Sequence, residues 1–170
     1  MMNKNIVLFG FMGCGKTTVG TELAANTGRE LVDTDKLIEE AEGMSISEIF
    51  RIHGEQYFRD LEHNLCKQLS QRSRLIISAG GGALTFQRNI DALKEGCILV
   101  MIDVTPEVIY KRLANDNTRP LLQCEDKMGA IRELYAKRDG IYRAAADVTV
   151  NGDQHKGFVA LDIMKATGIL

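Results

Sequence analysis

A chain of 170 residues, 45% of them hydrophobic and 26% charged, is long enough to bury one core and has the composition of a globular domain. Its formal net charge of −2 gives no reason to expect nucleic acid or a membrane surface as a partner, and no apolar run approaches transmembrane length. Cys14, Cys66, Cys97 and Cys124 form no Cys-x-x-Cys pair and no signal-peptide pattern is present, so we expect no disulfide or zinc framework and a cytoplasmic protein.

The first element of the chain is a phosphate-binding pattern. The apolar run Ile6–Phe9 leads into Gly10-Phe11-Met12-Gly13-Cys14-Gly15-Lys16-Thr17, and a helical pattern follows, as the G-x-x-x-x-G-K-[ST] loop requires. The glycines turn backbone N–H groups inward, Lys16 can reach the β- and γ-phosphates, and the Thr17 hydroxyl can bind Mg²⁺. A plain turn between strand and helix is the alternative. We predict a nucleotide site with these contacts: Gly13, Cys14, Gly15, Lys16, Thr17 and Thr18.

Two carboxylates follow the second predicted strand, Glu30–Val32, in the sequence Asp33-Thr34-Asp35. They lie at the carboxyl end of a strand, where α/β folds bind their ligands. One interpretation is that Asp35 or Thr34 only caps the helix that follows. The other, favoured by the neighbouring phosphate loop, is that Asp33 holds a magnesium-bound water and Asp35 accepts a hydrogen bond from an acceptor hydroxyl.

Two helical patterns come next. Ser45 and Glu48 form the capping box of a short helix, which Gly54 ends. The apolar side chains of the second helix share one stripe: Phe58, Leu61, Leu65 and Leu69. Arg59 lies beside that stripe and can pair with Glu62, three residues on, for which a surface ion pair is the default interpretation.

A run of three glycines, Gly80, Gly81 and Gly82, follows the predicted buried strand Arg74–Ser78. Each glycine costs backbone entropy, and a turn would usually need only one. We therefore interpret the run as a wall of the ligand site, with a plain turn as the alternative.

The most continuous apolar run, Cys97–Val104, predicts a central strand, and Thr105 and Pro106 mark the N-cap and first position of the next helix. Arg112, at the end of that helix, either faces the nucleotide or complements the helix dipole. A polar stretch without periodicity follows and predicts a mobile lid over about residues 112–123. Its Arg119 is placed to meet the transferring phosphoryl group.

The helix predicted from about Asp126 to Ala145 carries one charged residue in a stripe that is otherwise apolar or aromatic. Its stripe, at spacings of three and four, is Met128, Ile131, Tyr135, Arg138 and Tyr142. A buried arginine must pair with an anion, so Arg138 requires either a protein carboxylate or a bound ligand. Arg132 and Arg143 lie off the stripe and are expected to be solvated.

The alternation of short β-branched runs with helical patterns predicts one α/β domain over residues 1–170, with a parallel sheet and helices on both faces. Asp147–Val150 is the last predicted strand. The final helix is expected to direct three apolar side chains toward the core: Phe158, Leu161 and Met164.

The remaining candidate residues indicate the chemistry of the molecule that accepts the phosphoryl group. Asp35 suits hydroxyl groups and repels phosphates, whereas Arg59 and Arg138, on separate helices, suit an anionic group. A small polyhydroxy acid satisfies both conditions. A nucleoside monophosphate explains the arginines but not the carboxylate.

These motifs together resemble shikimate kinase. They are, in the order of that family, G-x-x-G-x-G-K-T at Gly10–Thr17, D-T-D at Asp33–Asp35, F-R-x-x-E at Phe58–Glu62, G-G-G at Gly80–Gly82 and R-P-L-L at Arg119–Leu122. The resemblance implies a nucleoside-monophosphate-kinase-like P-loop fold: three α/β/α layers, a five-stranded parallel sheet of order 2-3-1-4-5, and a lid. It also implies ATP-dependent phosphorylation of the shikimate 3-hydroxyl, on the route to chorismate and the aromatic amino acids.

The resemblance also implies residue roles. Asp35, Arg59, Gly80–Gly82 and Arg138 match shikimate-binding positions, Arg119 the lid arginine that contacts ATP, and Thr17 the magnesium ligand. The helical segment of about 35–62 would bind the substrate, and Lys16, Asp35 and Arg119 would carry catalysis in a monomer. The loop near Asn151–Gln154, where the family contacts adenine, departs from the family pattern.

Two alternatives remain at this point. One is another small-molecule kinase of this fold, acting on gluconate or on a nucleoside monophosphate; the glycine triplet, in place of a G-[FY]-P-R-like segment, argues against the latter. The other is a regulatory module whose output is a conformation. The intact set of Lys16, Thr17, Asp35 and Arg119 argues against that module, which need not retain all four.

Overall fold

The computed structural model describes residues 4–114 and 125–169. Its strands and helices alternate along the chain in this order: β1 Asn5–Phe9, α1 Lys16–Thr27, β2 Glu30–Asp33, α2 Thr34–Glu42, α3 Ile46–His53, α4 Glu55–Ser70, β3 Leu75–Ser78, a 3-10 turn Ala83–Thr85, α5 Gln87–Lys94, β4 Cys97–Asp103, α6 Pro106–Arg112, α7 Lys127–Ala145, β5 Val148–Asn151 and α8 Lys156–Thr167. Each strand lies within one residue of its predicted bounds at either end.

The described strands form one parallel sheet of order β2-β3-β1-β4-β5, which confirms the order implied by the resemblance. The central strand β1 pairs with both neighbours, so that Val7 lies opposite Ile77 of β3 and Leu99 of β4. In a parallel sheet all strands end at the same edge, so the loops after β1, β2 and β3 meet there.

Successive residues of β1 point into separate cores on the two faces of the sheet. Ile6 and Leu8 are fully buried against α1, α8 and neighbouring helices, whereas Val7 and Phe9 are buried against α4 and α5. A strand covered on both faces has no polar side, which explains why the run shows no alternation. Helices on both faces of the sheet are therefore confirmed.

Local capping explains where the helices before the acceptor site begin. The predicted capping box is present, since the backbone N–H of Ser45 donates to Glu48 and the Ser45 hydroxyl accepts from the Glu48 N–H. Gly54 ends α3 with φ of +84°, in the left-handed region that favours glycine.

Two expectations about helix faces are wrong. Phe158 and Leu161 do not face the core: they are 63% and 37% exposed, and Val159, Ala160 and Ile163 are buried instead. Apolar residues occur on both stripes of α8, so periodicity alone did not select the buried one.

Thr105 occupies the N-cap position of α6 but its side chain accepts no capping hydrogen bond. Instead, the Thr105 backbone N–H and hydroxyl both donate to the Asp153 carboxylate, which reaches across from the loop after β5. The prediction of Pro106 as the first residue of the helix is confirmed.

Within the described part of the chain, no helix combines the length and the apolar character needed to cross a membrane. The three cysteines there, Cys14, Cys66 and Cys97, are buried as free thiols. Burial raises the pKa of Cys66 to about 12 and that of Cys97 to about 11, so both remain protonated.

Candidate active site

The loops after β1, β2 and β3 enclose a cavity of about 320 Å³ at the carboxyl edge of the sheet. The site residues that line it are Gly13, Gly15, Lys16, Thr17, Thr18, Asp33, Asp35, Gly80 and Gly81. The structure thus brings most predicted nucleotide residues into one space with Asp35 and the glycine run. Arg119 and the proposed lid beyond Ala114 lie outside the described residues.

The phosphate loop is shaped by glycines with positive φ. Gly13 and Gly15 have φ of +77° and +95°, and α1 begins at Lys16 directly after them. Side chains are disfavoured at such angles, and the curled backbone together with the helix start forms an anion-binding site. Lys16 Nζ donates to the Gly10 carbonyl at 3.4 Å and so folds back over the loop. Cys14 is buried, and its backbone N–H donates to the Phe11 carbonyl at 3.1 Å.

Asp33, rather than Asp35 or Thr34, caps α2. Its Oδ1 accepts hydrogen bonds from the backbone N–H groups of Asp35, at 3.1 Å, and Lys36, at 3.3 Å. The Thr34 hydroxyl accepts instead from the backbone N–H of Gly80, at 2.9 Å. The capping interpretation of Asp35 and Thr34 is therefore wrong, and the Asp35 carboxylate lines the cavity.

The surroundings of Asp35 disfavour its charged form. Burial raises the pKa of Asp35, the nearby Asp33 carboxylate raises it further, and Lys16 acts in the opposite direction. A carboxylate in this environment accepts a proton more readily than one in water.

Arg59 is held in a fixed orientation on α4. Its Nη1 donates to Glu62 at 3.1 Å and its Nη2 to Glu55 at 3.2 Å, and its guanidinium carbon lies 4.8 Å from the centre of the Phe86 ring. Glu62 is only 2% exposed, so the default expectation of a surface ion pair is wrong on this side. Burial raises the pKa of Glu62 and Arg59 opposes that rise.

The glycine run approaches two of these groups closely. A Cβ on Gly80 would lie 2.4 Å from Asp35 Oδ1, and one on Gly82 would lie 3.1 Å from Arg59 Nη1. A Cβ on Gly81 would meet nothing within 4 Å, which leaves open space at that position.

Arg138 reaches the site from α7. Its Nη1 donates to the Gly81 carbonyl at 3.3 Å, and the Tyr142 hydroxyl donates to the same oxygen. Arg138 is half-buried, and among the described residues no carboxylate pairs with it. A bound anion as the partner of Arg138 stays a prediction.

Arg112 binds the phosphate loop from its outer side. Nη1 donates to the carbonyls of Gly13, at 3.2 Å, and Cys14, at 3.3 Å, and Nη2 donates to Gly152 at 2.8 Å. A second cavity, of about 400 Å³, lies between these groups and the start of α8, with Gln154 and His155 on its wall. A contact between Arg112 and the nucleotide stays a prediction.

The sequence did not predict a polar cluster between α7 and the end of β4. Asp103, the last residue of β4, accepts from the Tyr135 hydroxyl at 2.9 Å and from Arg143 Nη2 at 2.8 Å, and Arg143 also pairs with Asp139. Arg143 is 47% exposed and so solvated as expected, but its partner Asp103 lies 40 residues away and no local pattern signals that pair. Arg132 is 62% exposed, as expected, and pairs with the exposed Glu107.

The donors in the first cavity fit a magnesium ion. Among residues 4–114 and 125–169 no group of three or more His, Cys, Asp or Glu side chains could hold a metal by itself. Mg²⁺ in phosphoryl-transfer sites needs only one or two protein oxygens, because phosphates and water supply the others. Thr17 and Asp33 line the same cavity and offer such oxygens.

Comparisons with known proteins bear on the family and the fold. The family model "Shikimate kinase" matches residues 12–167. The shikimate kinase of Caldanaerobacter subterraneus subsp. tengcongensis is 42% identical over 164 residues, covering 96% of this chain and 95% of that protein. The solved structure of shikimate kinase from Acinetobacter baumannii in complex with shikimate matches with a TM-score of 0.87 and 38% identity, covering 96% of this chain and 92% of the other. A gluconokinase from Sinorhizobium meliloti 1021 matches with a TM-score of 0.59 and 14% identity, covering 98% and 93%, and at that identity shows the fold alone.

Proposed function

This chain belongs to the shikimate kinase family, and we propose that its site transfers the γ-phosphoryl group of ATP to the 3-hydroxyl of shikimate, giving shikimate 3-phosphate and ADP. The observation that carries the proposal is that Lys16 and Asp35 line one cavity. A group for phosphates and a group for a hydroxyl therefore face the same space. The acceptor is shikimate rather than gluconate or a nucleoside monophosphate, in line with the family.

The nucleotide phosphates bind the loop that ends at Lys16. Backbone N–H groups of Gly13 and of residues 15–18 donate to the phosphate oxygens, and Lys16 leaves the Gly10 carbonyl to contact the β- and γ-phosphates. Thr17 would hold Mg²⁺ directly and Asp33 would hold it through a water. The ion would supply neutralisation of the charge on the phosphates.

Shikimate carries one carboxylate and three hydroxyl groups, and the site offers a partner for each kind. Arg59 and Arg138 bind the carboxylate, for which the paired donors of a guanidinium are well suited. Asp35 accepts a hydrogen bond from the reacting hydroxyl, and the glycine run lets the ring approach the backbone. Helices α2 to α4, within about residues 35–62, form the substrate-binding segment.

Transfer proceeds in line through a loose transition state, in which positioning and charge neutralisation dominate. Asp35 orients the hydroxyl and takes its proton late, so that it need not be a strong base. The raised pKa of Asp35 suits that role, since partial desolvation favours its protonated form after the transfer. Arg119, assigned by resemblance and outside the described residues, meets the phosphoryl oxygens.

The remaining features of the proposal are a single domain over residues 1–170, a monomer, and a location in the cytoplasm. Light scattering on the purified chain tests the monomer: a mass near 18.9 kDa is expected. A stable dimer would contradict it.

The experiment that tests the function is ADP release from Mg-ATP with and without shikimate. We expect turnover only when shikimate is present, with gluconate and nucleoside monophosphates as inactive controls. Turnover that is independent of shikimate, or that is faster with gluconate, would overturn the proposal. Omitting Mg²⁺ and adding a chelator is expected to abolish the reaction.

A further inference from the structure

We propose that Asp103 is a positioning residue for the acceptor site, because it anchors the helix that carries Arg138. It does so by binding Tyr135 and Arg143 of that helix. The inference rests on the proposed function, since it takes Arg138 as a contact for the acceptor's anionic group. Asp103 itself lines neither of the two cavities described above.

The part of α7 that carries Arg138 has little apolar packing. The helix runs for 19 residues and packs against the core through buried Ile131, Tyr142 and Ala145 and, among others, half-buried Leu134 and Tyr135. From residue 136 to residue 141, however, no residue is buried. Apolar contacts are non-directional, so polar contacts help to determine where the Arg138 side chain points.

Asp103 is a rigid point for such contacts. It is the last residue of β4, where it pairs in register with Asn151 of β5, and its backbone carbonyl accepts from Gly152 at 2.7 Å. Its two carboxylate oxygens are divided between two donors of α7: Oδ1 accepts from Tyr135 and Oδ2 from Arg143.

The two donors fix the position of α7 better than either one alone. Tyr135 and Arg143 are eight residues apart, which is roughly 12 Å along a helix axis. Attachment at two points two turns apart fixes both the rotation and the axial position of the segment between them. Arg138 lies within that segment.

Two other side chains of the same segment contact the wall of the acceptor cavity. Arg138 and Tyr142 both donate to the Gly81 carbonyl, in the glycine run. The segment is thus held at two points, Asp103 at the end of β4 and Gly81 in the loop after β3. If the Asp103 contacts are lost, the bonds of Arg138 and Tyr142 to the Gly81 carbonyl are, among the described residues, the polar contacts left to orient it.

The chain offers variants that remove each contact with little other change. Tyr135→Phe removes the hydroxyl and keeps the ring, whose centre lies 5.7 Å from that of Phe11 in the phosphate loop. Arg143→Gln removes the charged donor from a side chain that is 47% exposed. Arg132→Gln is the matched control, since Arg132 is also an α7 arginine paired across to a carboxylate, but with exposed Glu107 at 3.0 Å.

The experiment compares the KM for shikimate, the KM for ATP, kcat and the melting temperature of the parent and the three variants. We expect Tyr135→Phe and Arg143→Gln to raise the KM for shikimate about three- to tenfold while leaving the KM for ATP within about twofold. Arg132→Gln is expected to match the parent. Amide hydrogen exchange over residues 135–143 should be faster in the first two variants than in the control.

A lower melting temperature with an unchanged KM for shikimate would overturn the positioning role, because it would reduce the contacts to a contribution to stability. An equal rise of both KM values would overturn it as well. A parent chain without shikimate-dependent turnover would overturn the proposed function, and with it this inference; the parent and the Arg132→Gln control separate that outcome from failure of the positioning role alone.

Discussion

Gly80 lies so close to Asp35 that a methyl group on Gly80 would stand 2.4 Å from the Oδ1 atom of Asp35. The backbone N–H of Gly80 is also bonded to Thr34, the residue before that aspartate. The loop after β3 and the start of α2 therefore form one unit, in which the absence of a side chain at Gly80 determines where the carboxylate can be.

Replacing Gly80 by alanine is expected to displace the Asp35 carboxylate. A carbon and an oxygen atom that are not bonded to each other do not approach to 2.4 Å. The Asp35 side chain must therefore move away from the position where it meets the acceptor hydroxyl. We expect kcat to fall on the order of 10²-fold, since small misplacements of reacting groups are costly. Steady-state turnover with saturating shikimate measures it.

Gly81→Ala is the matched comparison. A Cβ there meets no protein atom, so the fold should be unaffected, but the methyl group would occupy the cavity next to the acceptor. The expected result is a raised KM for shikimate and an unchanged melting temperature. Similar kinetics for the two alanine variants would contradict the different roles of these glycines.

Asp35→Asn removes the carboxylate and preserves its shape. Because an amide cannot accept the proton of the reacting hydroxyl, we expect turnover to fall by about 10²- to 10⁴-fold. The affinity for ATP, measured by calorimetry, should stay within about twofold, since the phosphate loop is not altered. A variant that turned over near the parent rate would show that the role assigned to Asp35 is wrong.

The same substitution has a predicted effect on stability that depends on pH. Burial and then Asp33 raise the pKa of Asp35, so the folded chain binds this proton more tightly than the unfolded chain does. The stability that this group contributes is full below its unfolded pKa and is lost as the pH rises through its folded pKa. At neutral pH the charged carboxylate therefore destabilises the ligand-free fold.

Asp35→Asn is thus expected to raise the melting temperature at neutral pH by about 2–4 °C. The gain should shrink as the pH falls toward the ordinary pKa of aspartate, near ~3.9. Thermal unfolding without ligands across this range measures it. Asp91→Asn, which changes an exposed aspartate of α5, should produce no such gain; an equal gain in both variants would show that burial of the Asp35 carboxylate is not the cause.

The two carboxylates that hold Arg59 should differ in importance. Glu62 is 2% exposed and Glu55 is 64% exposed, although both lie just over 3 Å from the guanidinium. Exposed ion pairs contribute little, whereas loss of a buried partner leaves a charge poorly compensated. We expect Glu62→Gln to raise the KM for shikimate by about tenfold and Glu55→Gln by less than about twofold. Kinetics in which the Glu55 variant is the worse of the two would contradict this assignment.

Local patterns predicted the half of the site that is contiguous in sequence. The phosphate loop depends on residues 10–17 alone. The three consecutive glycines indicated that other groups approach the backbone closely, without indicating to which residues they belong. Even there, the pattern did not tell which member of Asp33-Thr34-Asp35 caps α2, because Asp and Thr can both cap a helix.

Contacts between distant parts of the chain were not predicted. The burial of Glu62, the bonds of Arg112 to the phosphate loop, and the binding of Arg143 by Asp103 depend on how the helices pack, which periodicity does not encode. The same limit explains the error at Phe158, where two apolar stripes on α8 were equally consistent with a buried face.

The strand order has a consequence for how this architecture can change. Asp35, Arg59 and the glycine run all belong to the continuous stretch from β2 to the turn after β3, on one side of the central strand, while the Arg112 cavity belongs to the other side. The phosphoryl donor and the phosphoryl acceptor are thereby recognised by separate parts of the chain. Evolution can exchange the acceptor by rewriting one contiguous segment, and Arg138 is then the one proposed acceptor contact that must be changed separately.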